Sequence, residues 1–126
     1  MACKVCGSEK GVRKTGKCNT CYAREWRRAN PEKSRSNDLK KDFGITLADY
    51  NVILESQGYV CAICGKQEVT RHNNTDRVRN LAVDHSHSTG KVRGLLCTAC
   101  NQGLGNFKEN LDSLAKAMSY LIENGP

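Results

Sequence analysis

The chain has 126 residues, which is enough for one domain or for a small module with an extension. Apolar residues make up 38% of it and aromatic residues 6%, so an ordinary hydrophobic core would be thin, and support from a metal, disulfides or an oligomer is expected. The longest apolar stretch, residues 59–64, is too short to cross a bilayer, which excludes a membrane protein. No charged and then apolar leader segment is present, so we expect a cytoplasmic rather than an exported protein.

Positive charge is concentrated in the first third of the chain. Residues 1–41 contain 12 of the 20 lysines and arginines but only 4 of the 13 acidic residues, whereas residues 42–126 contain 8 basic and 9 acidic residues. A basic segment next to a near-neutral one is typical of a protein that binds a polyanion, because neutralised phosphates release their counterions. A merely solubilising surface is the alternative. We favour a nucleic acid as the partner and expect two domains, residues 1–41 and residues 42–126.

All eight cysteines lie in Cys-x-x-Cys pairs, which are Cys3/Cys6, Cys18/Cys21, Cys61/Cys64 and Cys97/Cys100. Such a turn directs two thiolates towards one point, and two turns complete the tetrahedral shell of a Zn²⁺ ion. Disulfides are disfavoured because nothing indicates an oxidising compartment, and a thioredoxin-like redox motif would explain one pair rather than four. The sequence therefore predicts two structural zinc sites, each with four cysteine ligands.

The spacing of the pairs indicates which of them share an ion. Eleven residues separate Cys6 from Cys18, and 32 separate Cys64 from Cys97, whereas a cross-braced arrangement would have to reach across the 39 residues between Cys21 and Cys61. We therefore expect consecutive pairs to share each ion. Structural zinc contributes roughly 10–16 kcal/mol in finger peptides, which exceeds the net stability of about 5–15 kcal/mol of many domains. Folding is expected to depend on zinc.

Two helices are predicted after the second cysteine pair. Residues 22–29 form a short basic helix that Asn30-Pro31 closes, and a polar helix runs from Pro31 to about residue 42, with Gly44 ending it. Trp26 could stack on a base, although packing is the commoner role of a single tryptophan beside a zinc site. The candidate phosphate contacts of this region are Arg24, Arg27, Arg28, Lys33, Arg35, Lys40 and Lys41.

The next segment is predicted to contain a helix, a loop and a hairpin. Residues 46–49 have the pattern of a capping box, with Asp49 in place of the usual Glu, and the helix that follows stops at Gly58. Residues 66–80 are polar and aperiodic, so they are expected to form a loop with His72 on the surface. Two strands, 81–85 and 92–96, follow on either side of a Ser-Thr-Gly turn.

Two helical segments complete the predicted order. Cys97 should lead into a helical turn that carries Cys100 and Asn101, and a last helix covers about residues 109–123. The apolar stripe of this last helix is most simply core, although it could also serve a dimer. Its members are Leu111, Leu114, Ala115, Met118, Leu121 and Ile122.

The hairpin inserted between the last two cysteine pairs contains residues that carry chemistry. Because zinc should pin the hairpin to the following helix, Asp84, His85 and Asn101 are expected to lie near one another. Aspartate and asparagine oxygens suit Mg²⁺, and an imidazole can take a proton from water at neutral pH. Each residue also has an ordinary structural role: Asp-His can be a polar pair and Asn can cap a helix. Their combination favours phosphodiester hydrolysis.

Four sequence runs carry a family resemblance: Phe43-Gly44-Ile45-Thr46-Leu47, Cys61-Ala62-Ile63-Cys64-Gly65, Val83-Asp84-His85-Ser86-His87-Ser88-Thr89-Gly90 and Val92-Arg93-Gly94-Leu95-Leu96-Cys97-Thr98-Ala99-Cys100-Asn101. Over residues 43–123 the chain resembles the bacteriophage recombination endonuclease VII family, which belongs to the HNH, or His-Me finger, nucleases. The resemblance implies a small, zinc-stabilised α+β fold with a ββα-metal core, preceded here by an N-terminal four-cysteine zinc module and a basic helix.

The resemblance also implies a mechanism. His85 would be the general base that activates water, and Asp84 and Asn101 would hold one Mg²⁺ or Mn²⁺ ion. His87 would contact the scissile phosphate or help to orient the site. The implied activity is a DNA endonuclease that leaves 5′-phosphate and 3′-hydroxyl ends, and the implied partners are DNA and a second copy of the chain, in the host cytoplasm if the protein is encoded by a phage.

Two positions depart from the pattern of some family members. Leu104 replaces a carboxylate three residues after the metal-binding Asn, and Ala82 replaces a His two residues before the Asp. Junction-resolving relatives also carry a further C-terminal domain. Simple nicking or double-strand cleavage is therefore expected rather than junction resolution. Two other functions stay open: a non-catalytic zinc module that binds DNA or an acidic protein, and a purely structural zinc protein.

Overall fold

The computed structural model describes residues 1–73 and 75–125, which form five helices and two strands. In chain order these are α1 (Asn19–Ala29), α2 (Pro31–Phe43), α3 (Leu47–Ser56), β1 (Ala82–His85), β2 (Val92–Leu96), α4 (Thr98–Asn106) and α5 (Leu111–Asn124). The small α+β class is confirmed. The chain divides into two compact units, Met1–Asp49 and Tyr50–Pro126, and the functional division expected after residue 41 stays a prediction.

The first unit is built around its four cysteines. Cys3, Cys18 and Cys21 are buried, and Val12 packs against them. Helix α1 begins three residues earlier than predicted because the second Cys-x-x-Cys turn is also the first turn of this helix: Cys18 precedes it directly, and the Tyr22 N–H donates to the Cys18 carbonyl at 2.9 Å. The cysteine cluster therefore fixes where the basic helix begins.

The boundary between α1 and α2 follows the predicted signals. The backbone and side-chain nitrogens of Asn30 both donate to the Trp26 carbonyl at 2.9 Å, and Pro31 occupies the first position of α2, where its missing N–H costs nothing. Gly44 ends α2 at φ 71°, in the left-handed region that favours glycine. The two helices contact each other, and Leu39 of α2 is buried.

The capping box at the start of α3 is confirmed. The Thr46 N–H donates to Asp49 Oδ2 at 3.0 Å, and the Asp49 N–H donates to Thr46 Oγ1 at 3.1 Å. Hydrogen bonds from the Thr46 backbone, and then from its side chain, lower the pKa of Asp49. The shorter aspartate thus performs the role of the usual glutamate in this box.

The two strands form an antiparallel hairpin with an irregular register. Asp84 pairs with Gly94, but the next residue, His85, pairs with Val92. Arg93 is therefore the additional residue of a β-bulge, a feature that changes the direction of side chains near it. Residues 66–73 and 75–80 lie outside the named strands and helices, as predicted, and His72 is exposed.

A single glutamine side chain anchors the hairpin from the end of α3. Gln57 Nε2 donates to the carbonyls of Val60 and Leu95, both at 2.9 Å, and the Leu95 N–H donates to Gln57 Oε1 at 2.9 Å. Leu95 is fully buried. A second anchor is the Tyr50 hydroxyl, which donates to the Leu81 carbonyl at 2.6 Å. These polar contacts complement a small apolar core.

The first cysteine cluster has the geometry of a zinc site. The Sγ atoms of Cys3, Cys6, Cys18 and Cys21 all lie within 4.8 Å of one another, with Cys6 and Cys18 at 3.7 Å. A zinc tetrahedron with Zn–S distances of about 2.3 Å has S···S edges of about 3.8 Å. Backbone hydrogen bonds, foremost from Cys18, lower the pKa of Cys3 to about 6, whereas hydrogen bonds with neighbouring thiols, foremost Cys6, raise the pKa of Cys21 to about 12. The four sulfur atoms lie at the separations that a zinc ion requires, and this cluster could hold zinc.

The second cluster repeats this arrangement in the second unit. Cys61, Cys64, Cys97 and Cys100 have their Sγ atoms within 4.8 Å of one another, and Cys64 and Cys97 are 3.8 Å apart. Burial opposes ionisation of Cys61, but backbone hydrogen bonds from Cys97 and Cys64 outweigh it and lower its pKa to about 6. Burial and the Cys97 thiol raise the pKa of Cys100 to about 12. The predicted pairing of consecutive Cys-x-x-Cys turns is confirmed.

Helix α4 begins within the second cysteine cluster. Cys97 is its N-cap, and the Cys97 sulfur accepts a hydrogen bond from the Cys100 N–H at 3.4 Å. The helix lies against β1, so β1, β2 and α4 form a compact ββα arrangement. The cluster sets the position of both the hairpin and the helix.

The prediction that the apolar stripe of the last helix belongs to the core is wrong. Every residue of α5 is at least partly exposed, and Leu111 and Ile122 are 83% and 75% exposed. The helix also starts at Leu111 rather than at residue 109, because Lys108 and Glu109 adopt left-handed φ angles of 54° and 55°. None of the helices in the described residues has the length and apolar character needed to span a membrane.

Replacing Gln57 with leucine tests the polar anchor. The Gln57→Leu variant leaves the buried backbone groups of Leu95 with fewer partners, so we expect the free energy of unfolding to fall by about 1–3 kcal/mol. Denaturant unfolding of the zinc-loaded chain measures this change. Gln67→Leu, the same substitution at an exposed loop position, is the control and should shift the midpoint little. Equal shifts in both variants would show that Gln57 does not anchor β2.

Removing one thiol from each cluster tests the two zinc sites. We expect the intact chain to bind two zinc ions, and Cys64→Ser and Cys6→Ser each to bind one, because a tetrahedral site loses a required ligand. Elemental analysis after gel filtration gives the zinc content, and the double variant should bind none. Two bound ions in Cys64→Ser would contradict the assignment of the second cluster.

Candidate active site

Three of the four predicted catalytic residues lie at the end of β1 or just after it. Asp84 and His85 are the last two residues of this strand and are half-buried, whereas His87, in the turn, is exposed. The rings of His85 and His87 have their centroids 5.1 Å apart. Asn101 is exposed in the first part of α4, whose packing against β1 puts this helix beside the strand of Asp84. Joint binding of a metal by Asp84 and Asn101 stays a prediction.

Arg93 pairs with the predicted metal ligand Asp84. Arg93 Nε donates to Asp84 Oδ2 at 2.8 Å, and Arg93 Nη2 donates to Asp84 Oδ1 at 2.9 Å, so the guanidinium holds both carboxylate oxygens. The Asp84 side chain is only 13% exposed. This two-point pairing is among the stronger hydrogen-bonded arrangements in proteins, and the bulge at Arg93 makes it possible.

Glu109 extends the ion pair into a network. Arg93 Nη2 also donates to Glu109 Oε1 at 2.6 Å, and His87 Nε2 lies 3.7 Å from the same oxygen. Hydrogen bonds to Asp84, and then to Glu109, raise the pKa of Arg93 above its already high usual value. The left-handed backbone of Lys108 and Glu109 turns the chain between α4 and α5 and brings this carboxylate to the hairpin.

Sequence reasoning missed both Arg93 and Glu109. A signal for Arg93 exists: an arginine on the second strand of a hairpin, near an aspartate on the first, can form a cross-strand ion pair. An unbroken continuation of the Asp84–Gly94 register would pair Arg93 with His85, however, and the bulge changes this pairing. Glu109 has no comparable signal, because its position depends on two consecutive left-handed residues that are not glycine.

The oxygen donors around Asp84 suit a hard divalent cation. Each oxygen of an ionised carboxylate has a second lone pair beyond the one that Arg93 engages, and asparagine supplies a further oxygen. Among residues 1–73 and 75–125, the only groups of three or more close His, Cys, Asp or Glu ligand atoms are the two cysteine clusters. Mg²⁺ sites often use one or two carboxylates and retain water ligands, so Asp84 and Asn101 fit Mg²⁺ or Mn²⁺ in kind.

The predicted phosphate contacts are spread along the two helices of the first unit. Three lie on α1 and four on α2, and all are exposed except Arg35, which is half-buried; they are Arg24, Arg27, Arg28, Lys33, Arg35, Lys40 and Lys41. Their contact with DNA stays a prediction.

Two curated bacteriophage proteins are similar in sequence to this chain. The chain is 38% identical over 106 residues to the Gene 59 protein of Mycobacterium phage D29, a match that covers 83% of this chain and 59% of that protein. It is 36% identical over 107 residues to the Gene 59 protein of Mycobacterium phage L5, covering 84% and 60%. The chain thus spans about three fifths of the length of these relatives. No solved structure matches it.

Residues 36–123 match the family described as recombination endonuclease VII. The matched segment contains α3, both strands, α4, the second cysteine cluster and the Asp84–Arg93 pair. The resemblance found in the sequence motifs is confirmed. Since the match covers more than half of its length, the chain belongs to the recombination endonuclease VII family.

Proposed function

We propose that the protein is a metal-dependent DNA endonuclease of the HNH, or His-Me finger, type. The observation that carries this proposal is the position of Asp84 and His85 at the end of β1, in a ββα arrangement that a four-cysteine cluster holds, in a chain of the endonuclease VII family. The reaction is hydrolysis of a phosphodiester bond to 5′-phosphate and 3′-hydroxyl ends. Nicking, double-strand cleavage and cleavage of branched DNA are all instances of this chemistry.

His85 acts as the general base in this proposal. Its imidazole accepts a proton from the attacking water, a role that a histidine side chain can perform near neutral pH. His87, whose ring centroid lies 5.1 Å from that of His85, contacts the scissile phosphate or helps to orient the site in this proposal. The packing of α4 against β1 keeps this part of the strand in position.

Asp84 and Asn101 bind the divalent cation in this proposal. The chemistry that Mg²⁺ or Mn²⁺ supplies when bound there is stabilisation of negative charge on the phosphate and on the leaving 3′ oxygen. Arg93 donates to both oxygens of the Asp84 carboxylate in the structure, so a cation at Asp84 has to share this carboxylate with the guanidinium. Leu104 cannot supply the carboxylate of some relatives, and the Glu109 carboxylate is linked to that of Asp84 through Arg93.

The other parts of the chain fit this function. The cations of α1 and α2 are proposed to bind DNA phosphates, and their exposure supports this role. The exposed apolar stripe of α5 supports a homodimer as the assembly. A non-catalytic, zinc-dependent DNA-binding module is the alternative, since the basic helices alone would account for binding. The cytoplasmic location stays a prediction.

Replacement of His85 separates the nuclease from the alternative. We expect zinc-loaded wild-type protein to nick supercoiled plasmid in the presence of Mg²⁺, and His85→Ala to be slower by about 10²–10⁴-fold, because the general base is lost. His72→Ala is the matched control, since His72 is an exposed histidine of the loop, and it should retain full activity. Unchanged nicking in His85→Ala would exclude this mechanism, and absence of cleavage by wild type would favour the binding module.

Replacement of Arg93 tests whether a cation and this guanidinium compete for Asp84. Arg93→Gln removes a positive charge and two charge-assisted hydrogen bonds from the carboxylate, so we expect Mn²⁺ to bind roughly tenfold more tightly. Electron paramagnetic resonance of free Mn²⁺ measures the affinity without catalysis. Arg77→Gln removes the same charge from an exposed loop position and should change the affinity little. Weaker Mn²⁺ binding in Arg93→Gln would show that Arg93 orients Asp84 rather than competing for it.

A further inference from the structure

The first unit contains a cleft that the nuclease mechanism does not use. Its volume is about 410 Å³, within the range of roughly 300–1,000 Å³ that is typical of small-molecule pockets. The cleft is formed by the loop between the first two cysteine pairs and by α1 and α2. Its lining residues are Arg13, Tyr22, Ala23, Trp26, Arg27, Ser34, Asn37 and Asp38.

One part of the cleft is a preformed stacking surface. The guanidinium carbon of Arg13 lies 4.2 Å from the centroid of the Tyr22 ring, which is the geometry of a cation–π contact. Arg13 Nε also donates to Asn19 Oδ1 at 2.7 Å, so its planar group is held from two directions. Flat guanidinium groups and aromatic rings are the surfaces on which unpaired bases stack in nucleic-acid-binding proteins.

Trp26 provides a second flat surface in the same cleft. It lies four residues after Tyr22 on α1, and residues with this spacing lie on the same face of a helix. Its side chain is half-buried and lines the cleft. A half-buried indole that lines the same cleft as a Tyr-Arg pair is suited to a planar aromatic ligand.

The charges around these rings narrow the choice of ligand. The lining side chains of the cleft include two that are positively charged, Arg13 and Arg27, and one that is acidic, Asp38. The surrounding residues 1–41 contain 12 basic and 4 acidic residues, which favours a ligand with negative charge. Asn37 and Ser34 offer hydrogen-bond donors and acceptors for polar ring edges. A planar ring with polar edges that is attached to phosphate is a nucleotide.

We propose that this cleft binds an unpaired nucleobase of the DNA, stacked on the Arg13–Tyr22 pair or on Trp26, with Arg27 contacting a neighbouring phosphate. This inference rests on the proposed function, which makes DNA the partner, and it adds a feature of the substrate. Bases inside a regular duplex are stacked on their neighbours and would have to be extruded to enter a cleft. DNA with a single-stranded segment, such as a gap, a flap or a branch point, offers such a base directly.

The single tryptophan of the chain makes this proposal directly measurable. Trp26 is the only tryptophan, so the intrinsic indole fluorescence of the full chain reports on the cleft alone. The protein is zinc-loaded and carries His85→Ala, so that the DNA stays intact. We expect saturable quenching by an oligothymidylate of about eight nucleotides, a length within the site sizes of single-strand binders. An abasic oligonucleotide of equal length and a blunt duplex should quench little at equal phosphate concentration.

Variants of Arg13 distinguish stacking from charge. Arg13→Lys keeps the charge but removes the planar group, and we expect it to weaken oligothymidylate binding roughly 5- to 100-fold, the range that corresponds to loss of one base-stacking partner. Lys14→Gln removes a positive charge from the next residue, which does not line the cleft, and should weaken binding only slightly. Zinc content of each variant shows that the first unit is folded.

Several results would overturn the proposal. These are equal quenching by abasic and base-containing oligonucleotides, unchanged affinity in zinc-loaded Arg13→Lys, or equal losses in Arg13→Lys and Lys14→Gln. The proposed nuclease function is tested by a different measurement. If wild-type protein with Mg²⁺ does not nick plasmid, the nuclease proposal fails, but quenching that depends on the bases can still be observed. If the protein nicks plasmid but oligothymidylate does not quench the Trp26 fluorescence, the cleft proposal is wrong and the proposed nuclease function stands.

Discussion

The second cysteine cluster is the constraint on which the candidate active site depends. Cys97 is at once a member of this cluster, the residue that follows β2 and the N-cap of α4, so one side chain joins the hairpin to the helix. The Ala62 N–H, within the other Cys-x-x-Cys turn of the cluster, donates to the Leu95 carbonyl at 3.1 Å. A chain with few buried apolar side chains can keep Asp84 and His85 in a fixed position because a cysteine cluster, rather than a large core, joins the hairpin to α4.

Features with a local physical cause were predictable from the sequence. The Cys-x-x-Cys spacing predicted both clusters, Asn30-Pro31 and Gly44 predicted the ends of α1 and α2, and the Thr46–Asp49 capping box predicted the start of α3. In each case the residues that cause the structure are within a few positions of one another, or are required by the geometry of one ion. The placement of Asp84 and His85 at the end of a strand followed from the same local patterns.

Features that depend on strand register, on unusual backbone angles or on tertiary packing were not predictable. Arg93 reaches Asp84 only because the hairpin contains a bulge, and Glu109 reaches Arg93 only because two non-glycine residues adopt left-handed backbone angles. Apolar periodicity correctly predicted α5 as a helix but not what covers its stripe, since the same pattern serves a core or an interface. Periodicity indicates that a face of the helix is apolar but not whether that face is buried in the chain.

The network of Asp84, Arg93 and Glu109 at the hairpin has a net charge that bears on the proposed reaction. Asp84 and Glu109 contribute two carboxylates and Arg93 one guanidinium, so the group has one net negative charge. This charge attracts a cation and repels a phosphodiester, which is itself an anion. With a divalent cation at Asp84 the same group would have one net positive charge, matching the single negative charge of the scissile phosphate. In the proposed mechanism, affinity for the substrate phosphate would therefore depend on prior binding of the cation, and Arg93, which would share the Asp84 carboxylate with that cation, would set how readily the net charge of the site changes sign.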